Sequence, residues 1–496
     1  MADMKVLAKD TAIYGLSSII GRFLNYLLVP LYTYKIAAAS GGYGVITNLY
    51  AYTGLFLAIL TYGMETTFFR FANKEEENPK LVYSTVLRMI AVTSILFVTL
   101  VLSFIKPISS ALGYPQYPSY VWTMAIVVAL DAFQAILFSY LRYQKRPLKF
   151  AALKLLFIGL NITLNLVYFL LLPKLYDGNP ELWGRLYNPE VGVGYVFYIN
   201  LFCTSFVTFF FVKELRGIGY GFDKALCKRM LSYSWPILVL SVAGVLNQTA
   251  DKILFPLILP KEEAFVQLGI YGAVVKIAMI MALITQAFRY AYEPFVFGNS
   301  REKDSKETYA KGMKFYVIFT LLAFLCVMAY INILRHFIHS DYWDGRVVPI
   351  VMAAEMMMGV YFNLSFWYKL TDKTYWGAIF SGIGCAVIVA INVLLVPKFG
   401  YMACAWGGFA GYGISMVLSY FIGQKNYPIA YPMKEMGLYT LLAAILFVGI
   451  SLSNKHLGFW PALLVNTMLV CVFLAYVVKK DLPLSELPVV GKYFKK

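Results

Sequence analysis

The sequence predicts an all-α polytopic membrane protein with about fourteen transmembrane helices. Three observations lead there. The 496-residue chain is 60% hydrophobic and only 14% charged, whereas soluble domains carry about 25% charged residues. Apolar runs long enough to cross a bilayer, roughly 20 residues each, recur from end to end with short polar breaks. Lys and Arg gather in alternate breaks, as cytoplasmic loops require. This composition excludes a soluble enzyme and a disordered chain. Long unbroken apolar runs also exclude an outer-membrane barrel, whose strands alternate apolar and polar.

The polar stretch Met1 to Asp10 bears Lys5 and Lys9. The run at 11–34 is too long for a signal-peptide core and lacks a small-residue cleavage site after it, so it reads as a retained first helix. Spans follow at 43–64, 81–105, 118–141, 149–172 and 192–212. The longest break, about Pro173 to Val191, is too short to form a domain. Between Gly219 and Ser234 the pattern changes. Phe222, Leu226 and Met230 recur every four residues, with Lys224, Lys228 and Arg229 elsewhere around the helix. That pattern predicts an interfacial amphipathic helix on the anionic inner leaflet. A second series falls at 234–258, 267–288, 314–334, 347–368, 375–396 and 400–422, and two last spans at 435–452 and 459–478. The order divides the chain into an N-terminal lobe at 1–213, a cytoplasmic linker at 214–233, a C-terminal lobe at 234–424, and helices 13 and 14 with a cytoplasmic tail at 425–496.

Alternating the breaks from a cytoplasmic N-terminus places 29 of the 43 Lys and Arg residues inside and 9 outside. A missed or extra helix near the middle would destroy that threefold bias, so both termini are expected in the cytoplasm. Topology also accounts for the net charge of +17, and no nucleic-acid partner is implied. A weak repeat links the halves. Leu28-Val29-Pro30-Leu31 precedes Tyr43-Gly44, and Leu254-Phe255-Pro256-Leu257 precedes Tyr271-Gly272. Both spans run inside to outside, so the halves would be related by an axis along the membrane normal. The six cysteines form no CxxC pair, and all but Cys227 lie in apolar runs; no disulfide framework or zinc site is indicated.

Charges within spans are the functional signal, because each costs at least about 2.5–3.5 kcal/mol to insert at mid-membrane. Arg22 lies near the middle of the first span and Arg88 in the inner half of the third. Asp131 is mid-span in the fourth, Asp251 and Lys252 in the seventh, Lys276 in the eighth and Glu355 in the tenth. Asp251 is about 10 Å from the outer end of its span and Lys276 about 14 Å from the outer end of the next, at 1.5 Å per residue. Their similar depth fits either an ion pair joining two helices or a hydrated cavity whose cations bind an anionic cargo. Lys154 is only a few residues into its span, and snorkelling explains it. Arg22 has no such route to an interface.

Other motifs say less. The GxxxG spacing within Gly407-Gly408-Phe409-Ala410-Gly411 reads as close helix packing. Most of the Tyr and Phe excess belongs to interface belts. His336, His339 and Asp341 do not make a metal site, since a full ligand set is missing. No Walker loop, G-x-S-x-G or H-E-x-x-H motif occurs, so ATP hydrolysis by this chain is not expected.

Gly21-Arg22-Phe23 with Val29-Pro30-Leu31-Tyr32-Thr33, then Gly42-Tyr43-Gly44, Tyr62-Gly63-Met64-Glu65 leading to Phe69-Arg70-Phe71, Asp251-Lys252, and Gly269-Ile270-Tyr271-Gly272 with Lys276 carry a resemblance. The chain resembles lipid-linked oligosaccharide flippases of the polysaccharide-exporter group, in the superfamily that also holds multidrug and toxin extrusion transporters. The resemblance implies two pseudo-symmetric six-helix lobes around a central cavity, two extra C-terminal helices and alternating access. It implies translocation of undecaprenyl-pyrophosphate-linked oligosaccharide across the bacterial inner membrane for surface polysaccharide such as O-antigen or capsule. Arg22, Lys252 and Lys276 would bind the diphosphate, with Arg88 as a further cation. Asp251, Glu355 and Asp131 would couple transport to a proton or sodium gradient, and no bound cofactor is implied. A monomer working beside a polysaccharide polymerase is expected. The rivals are a cation-coupled drug efflux antiporter and a membrane glycan polymerase.

Overall fold

The computed structural model of the chain describes residues 20, 23, 24, 26–298, 305–371 and 373–481. Among the described residues every regular element is helical, so the all-α membrane class holds. The elements that position the polar sites are α1 (Leu28–Lys35), α2 (Gly42–Thr61), α3 (Met64–Ala72), α4 (Pro79–Ser103), α5 (Pro118–Tyr143), α6 (Pro147–Leu166), α7 (Gly194–Phe209), α8 (Lys224–Ile258) and α9 (Lys261–Gly298). They continue with α10 (Ser305–Ala329), α11 (Val347–Leu364), α12 (Tyr375–Phe399), α13 (Tyr401–Asn426), α14 (Met433–His456) and α15 (Phe459–Lys480).

Twelve helices among the described residues are long and apolar enough to cross a membrane, and each falls on a predicted span. The expected count of fourteen is not reached. The sixth predicted span is a 16-residue helix, α7, shorter than the others. Half of the first predicted span, including Arg22, lies outside the described residues, which retain α1 at its end.

Two compact units divide the chain. The first holds the residues up to Gly272 with Ile388–Ala403, and the second holds Ala273–Val387 with the residues from Cys404 onward. In the first unit α2 packs on α8, α4 on α5, and α5 on α7. One core joins Met64, Phe68 and Phe71 of α3 to Tyr83 and Leu87 of α4 and Leu137 and Leu141 of α5. Tyr83 stacks on Tyr140 at 3.8 Å between ring centroids. In the second unit α10 packs against α11, α14 and α15.

The expected interfacial helix differs in the structure. It is not a separate element but the first turns of α8, which runs unbroken for 35 residues. The Asp223 carboxylate caps it, accepting from the amides of Ala225 and Leu226 at 2.8 and 3.0 Å. Leu226 and Met230 are fully buried against α3 and α4. Leu226 and Met230 of the stripe that suggested a membrane surface are taken up by a protein core instead, while Phe222, just before α8, stays exposed.

The repeat-related Tyr-Gly pairs meet at one helix crossing. A Cβ on Gly44 would collide with the Phe265 carbonyl oxygen, and one on Gly272 would lie 2.5 Å from the Thr47 hydroxyl. Both glycines let α2 and α9 approach closely. In the second unit the GxxxG segment serves a similar purpose, since a Cβ on Gly384 would meet the Gly411 carbonyl at 2.9 Å.

Candidate functional site

Proline chemistry sets up the site in α8. Pro256 has no amide hydrogen, so the carbonyl four residues earlier, that of Lys252, loses its helical donor. A buried orphan carbonyl costs about 1–3 kcal/mol. The Asn48 side chain of α2 fills the gap, its amide donating to the Lys252 carbonyl at 2.8 Å. Asn48 is itself held by Tyr114, whose hydroxyl donates to its side-chain oxygen at 2.6 Å. A polar chain therefore enters α8 at the residue that bears the cation.

The side chains complete the site. The Lys252 ammonium lies 2.9 Å from one Asp251 carboxylate oxygen and 3.1 Å from the other, and donates to the Gln248 carbonyl at 2.9 Å. The Tyr271 hydroxyl of α9 donates to the same carboxylate at 2.7 Å, and the Tyr271 ring lies 5.6 Å from the ammonium. Both charged side chains are mostly buried, with Asp251 11% and Lys252 20% exposed. Residues expected to divide the labour, Lys252 for substrate and Asp251 for coupling, thus neutralise each other. The Lys252 ammonium is thus engaged by the Asp251 carboxylate and the Gln248 carbonyl.

A second acid–base pair lies in the same unit. Asp131, midway along α5, and Lys154 of α6 act on each other's charge. Among the described residues neither makes a hydrogen bond or an ion pair; the Lys154 ammonium sits 4.1 Å above the Phe138 ring. Glu65 and Arg142, paired at 3.2 Å, also act on Lys154. Lys154 is half-buried, with these charges around it. Its signal in the sequence was the acid at mid-span in the preceding helix.

Arg88 of α4 forms part of the wall of an apolar cavity of about 770 Å³ beside α8. Lys276 of α9 and Glu355 of α11 are half-buried in the second unit. Glu355 lies near Tyr316, whose hydroxyl shares a hydrogen bond with Thr285 at 2.8 Å. Arg22 lies outside the described residues. Sequence reasoning missed Asn48 and Tyr114, and had Tyr271 only as part of a motif. The available clue was Pro256, which frees a carbonyl that some buried donor has to meet.

Comparison with solved structures places this fold. A structure of the lipid II flippase MurJ in an inward closed conformation matches with a TM-score of 0.69 at 13% identity, covering 94% of this chain and 98% of that one. The MATE multidrug transporter DinF-BH matches with a TM-score of 0.58 at 15% identity, covering 85% of this chain and 95% of the other. An inward-facing MATE transporter of the MOP superfamily matches at 0.57 and 12% identity, covering 84% and 94%. At these identities the likeness is one of fold. No curated protein matches the sequence. A family model described as polysaccharide biosynthesis protein matches residues 7–288, more than half of the chain, and on that match the chain belongs to the polysaccharide biosynthesis protein family.

Proposed function

We propose that the protein is a flippase that moves undecaprenyl-pyrophosphate-linked oligosaccharide across the bacterial inner membrane by alternating access. The observation that carries this reading is the polysaccharide biosynthesis family match over residues 7–288 in a chain built of membrane-crossing helices with charges inside them. A diphosphate and a sugar chain cannot cross hydrocarbon unaided, because each unpaired polar group costs several kcal/mol. Cations that meet the diphosphate in the protein offset that cost. Arg22, Lys252, Lys276 and Arg88 are the proposed set, with Asp251, Glu355 and Asp131 as the coupling acids. Lys252 gives the set a switch. While Asp251 is charged it holds the Lys252 ammonium; a proton or sodium ion on Asp251 releases the ammonium to the cargo phosphate. The coupling gradient and the anion would then bind in sequence at adjacent atoms. We place the protein in the inner membrane as a monomer that hands glycan to a polymerase, with transport and no chemistry of its own.

The test is complementation of a flippase-deficient strain, with surface glycan measured by lectin binding. The intact chain restores glycan; Arg22→Ala and Lys252→Ala insert normally and do not. Full export by both variants would remove the cationic set from the reading.

A drug efflux antiporter is the second reading, favoured by the shared fold with DinF-BH. The charges within spans weigh against it: Arg22, Arg88, Lys154, Lys252 and Lys276 outnumber Asp131, Asp251 and Glu355, the wrong balance for cationic drugs. Raised drug susceptibility on deletion, with glycan unchanged, would favour that second reading.

A further inference from the structure

The cavity beside Arg88 is a lateral groove, and its walls have a definite order. Its floor is protein core: Met89 of α4 and Ser234 of α8 are buried. Its rim is open, with Val92 64% and Trp235 65% exposed. The groove holds about 770 Å³ between helices of membrane-crossing length, room and lining suited to a lipid chain. Along α8 the lining residues Leu231, Trp235 and Leu238 follow helical spacing of three and four. The same stripe continues toward the helix start as Lys228 and Lys224, both exposed. One face of α8 therefore reads basic at its cytoplasmic end and apolar below, with Arg88 facing the apolar part from α4.

From this order we propose that the groove is the inner-leaflet docking site for the polyprenyl chain and phosphate end of the lipid-linked cargo, an inference that rests on the flippase reading. Lys224 and Lys228 meet the phosphate at the interface, as basic residues beside an anionic leaflet do. The isoprenoid chain lies along Leu231, Trp235 and Leu238. Arg88 decides against a resident phospholipid as the occupant. It lies nine residues into α4, about 14 Å along the axis from the helix start at Pro79, within an apolar wall that would meet a resident phospholipid's acyl chains and no phosphate. A lipid whose phosphates must leave the interface to cross the membrane meets that second cation on its way in.

The experiment uses the full chain in nanodiscs of phosphatidylcholine and phosphatidylglycerol with a photoreactive polyprenyl phosphate, and reads labelled peptides by mass spectrometry. Labelling is expected in the segments around 88–93 and 222–238. Excess undecaprenyl phosphate should suppress it, and excess phosphatidylglycerol should not. Lys224→Ala and Lys228→Ala should each lower labelling about fivefold. Val92→Trp, which fills the open rim and keeps every charge, should abolish it. Suppression by phosphatidylglycerol equal to that by undecaprenyl phosphate would overturn the proposal in favour of a resident phospholipid, and so would labelling unchanged in Val92→Trp. Glycan export measured in parallel separates the two readings. Export by the intact chain without groove labelling sinks the groove alone, whereas drug efflux without export sinks the flippase reading and the groove's cargo with it.

Discussion

Two of the acid–base pairs within membrane helices of the first unit are built differently. Asp251 and Lys252 are in contact, and each charge has further partners: Tyr271 on the carboxylate, the Gln248 carbonyl on the ammonium. Asp131 and Lys154 sit on separate helices and act on each other without a hydrogen bond, with the Phe138 ring beneath the ammonium. Insertion scales would treat all four residues alike. The difference teaches that the cost of a membrane charge is met locally, by whichever donors and acceptors the neighbouring helices place within reach. A contact pair is a structural joint. A pair held at a distance contributes field and little rigidity.

Four measurements would break or sharpen that comparison. The largest effect is expected from Lys252→Met, which strands the buried Asp251 carboxylate and should cost about 3 kcal/mol of unfolding free energy. The double variant Asp251→Asn with Lys252→Met should recover at least half of that. Thermal unfolding in detergent reads both, and additive losses would mean that the two are not a joint. Asn48→Ala orphans the Lys252 carbonyl and the Tyr114 hydroxyl together, at about 2 kcal/mol in the same assay. Tyr271→Phe removes one hydrogen bond to the Asp251 carboxylate and should cost about 1.5 kcal/mol. For the separated pair, a double-mutant cycle of Asp131→Asn and Lys154→Met should give a coupling of about 1 kcal/mol or less, because Coulomb energy falls with distance. A coupling equal to that of Asp251 and Lys252 would erase the distinction.

The second unit offers a contact pair at a helix end, where water is near. Asp481, just past α15, binds Lys314 of α10 and accepts from the Tyr439 hydroxyl of α14. Burial pushes its carboxyl up, but the Lys314 and Tyr439 hydrogen bonds and the charges of Lys314 and Lys480 outweigh it, so the group is held below the usual carboxylate range. A carboxyl depressed in the native state stabilises above its unfolded value, near 3.9, and loses that contribution as pH falls through the native one. Amide exchange in α14 and α15 should therefore be insensitive to Asp481→Asn at low pH. At neutral pH it should be faster in the variant by a small factor, the smallest of the expected effects.

Much of the fold was legible in the sequence because hydrocarbon leaves a chain few choices: every backbone polar group must be satisfied within its own segment. Twelve of the predicted spans correspond to helices of membrane-crossing length. The α8 start was less legible. Phe222, Leu226 and Met230 have the spacing of an interfacial helix, and the same spacing suits a helix buried against α3 and α4; periodicity states that a face is apolar without saying what covers it. The site was legible in part for a similar reason. Asp251 and Lys252 stand out because charges are rare in spans. Asn48 and Tyr114 do not, since a polar residue in a membrane helix announces a need for a partner without naming it.

By itself the sequence determined the membrane class, the positions of most spans and the cost carried by each charge within them, because these follow from hydropathy and run length alone. The tertiary structure decided which charge meets which group. It set Lys252 on Asp251 in place of a cation open to the cargo, Asn48 on the carbonyl that Pro256 leaves open, and Lys154 among Asp131, Glu65 and Arg142. Those outcomes depend on distances of a few ångströms between helices far apart in the chain, over which a hydrogen bond is either made or absent.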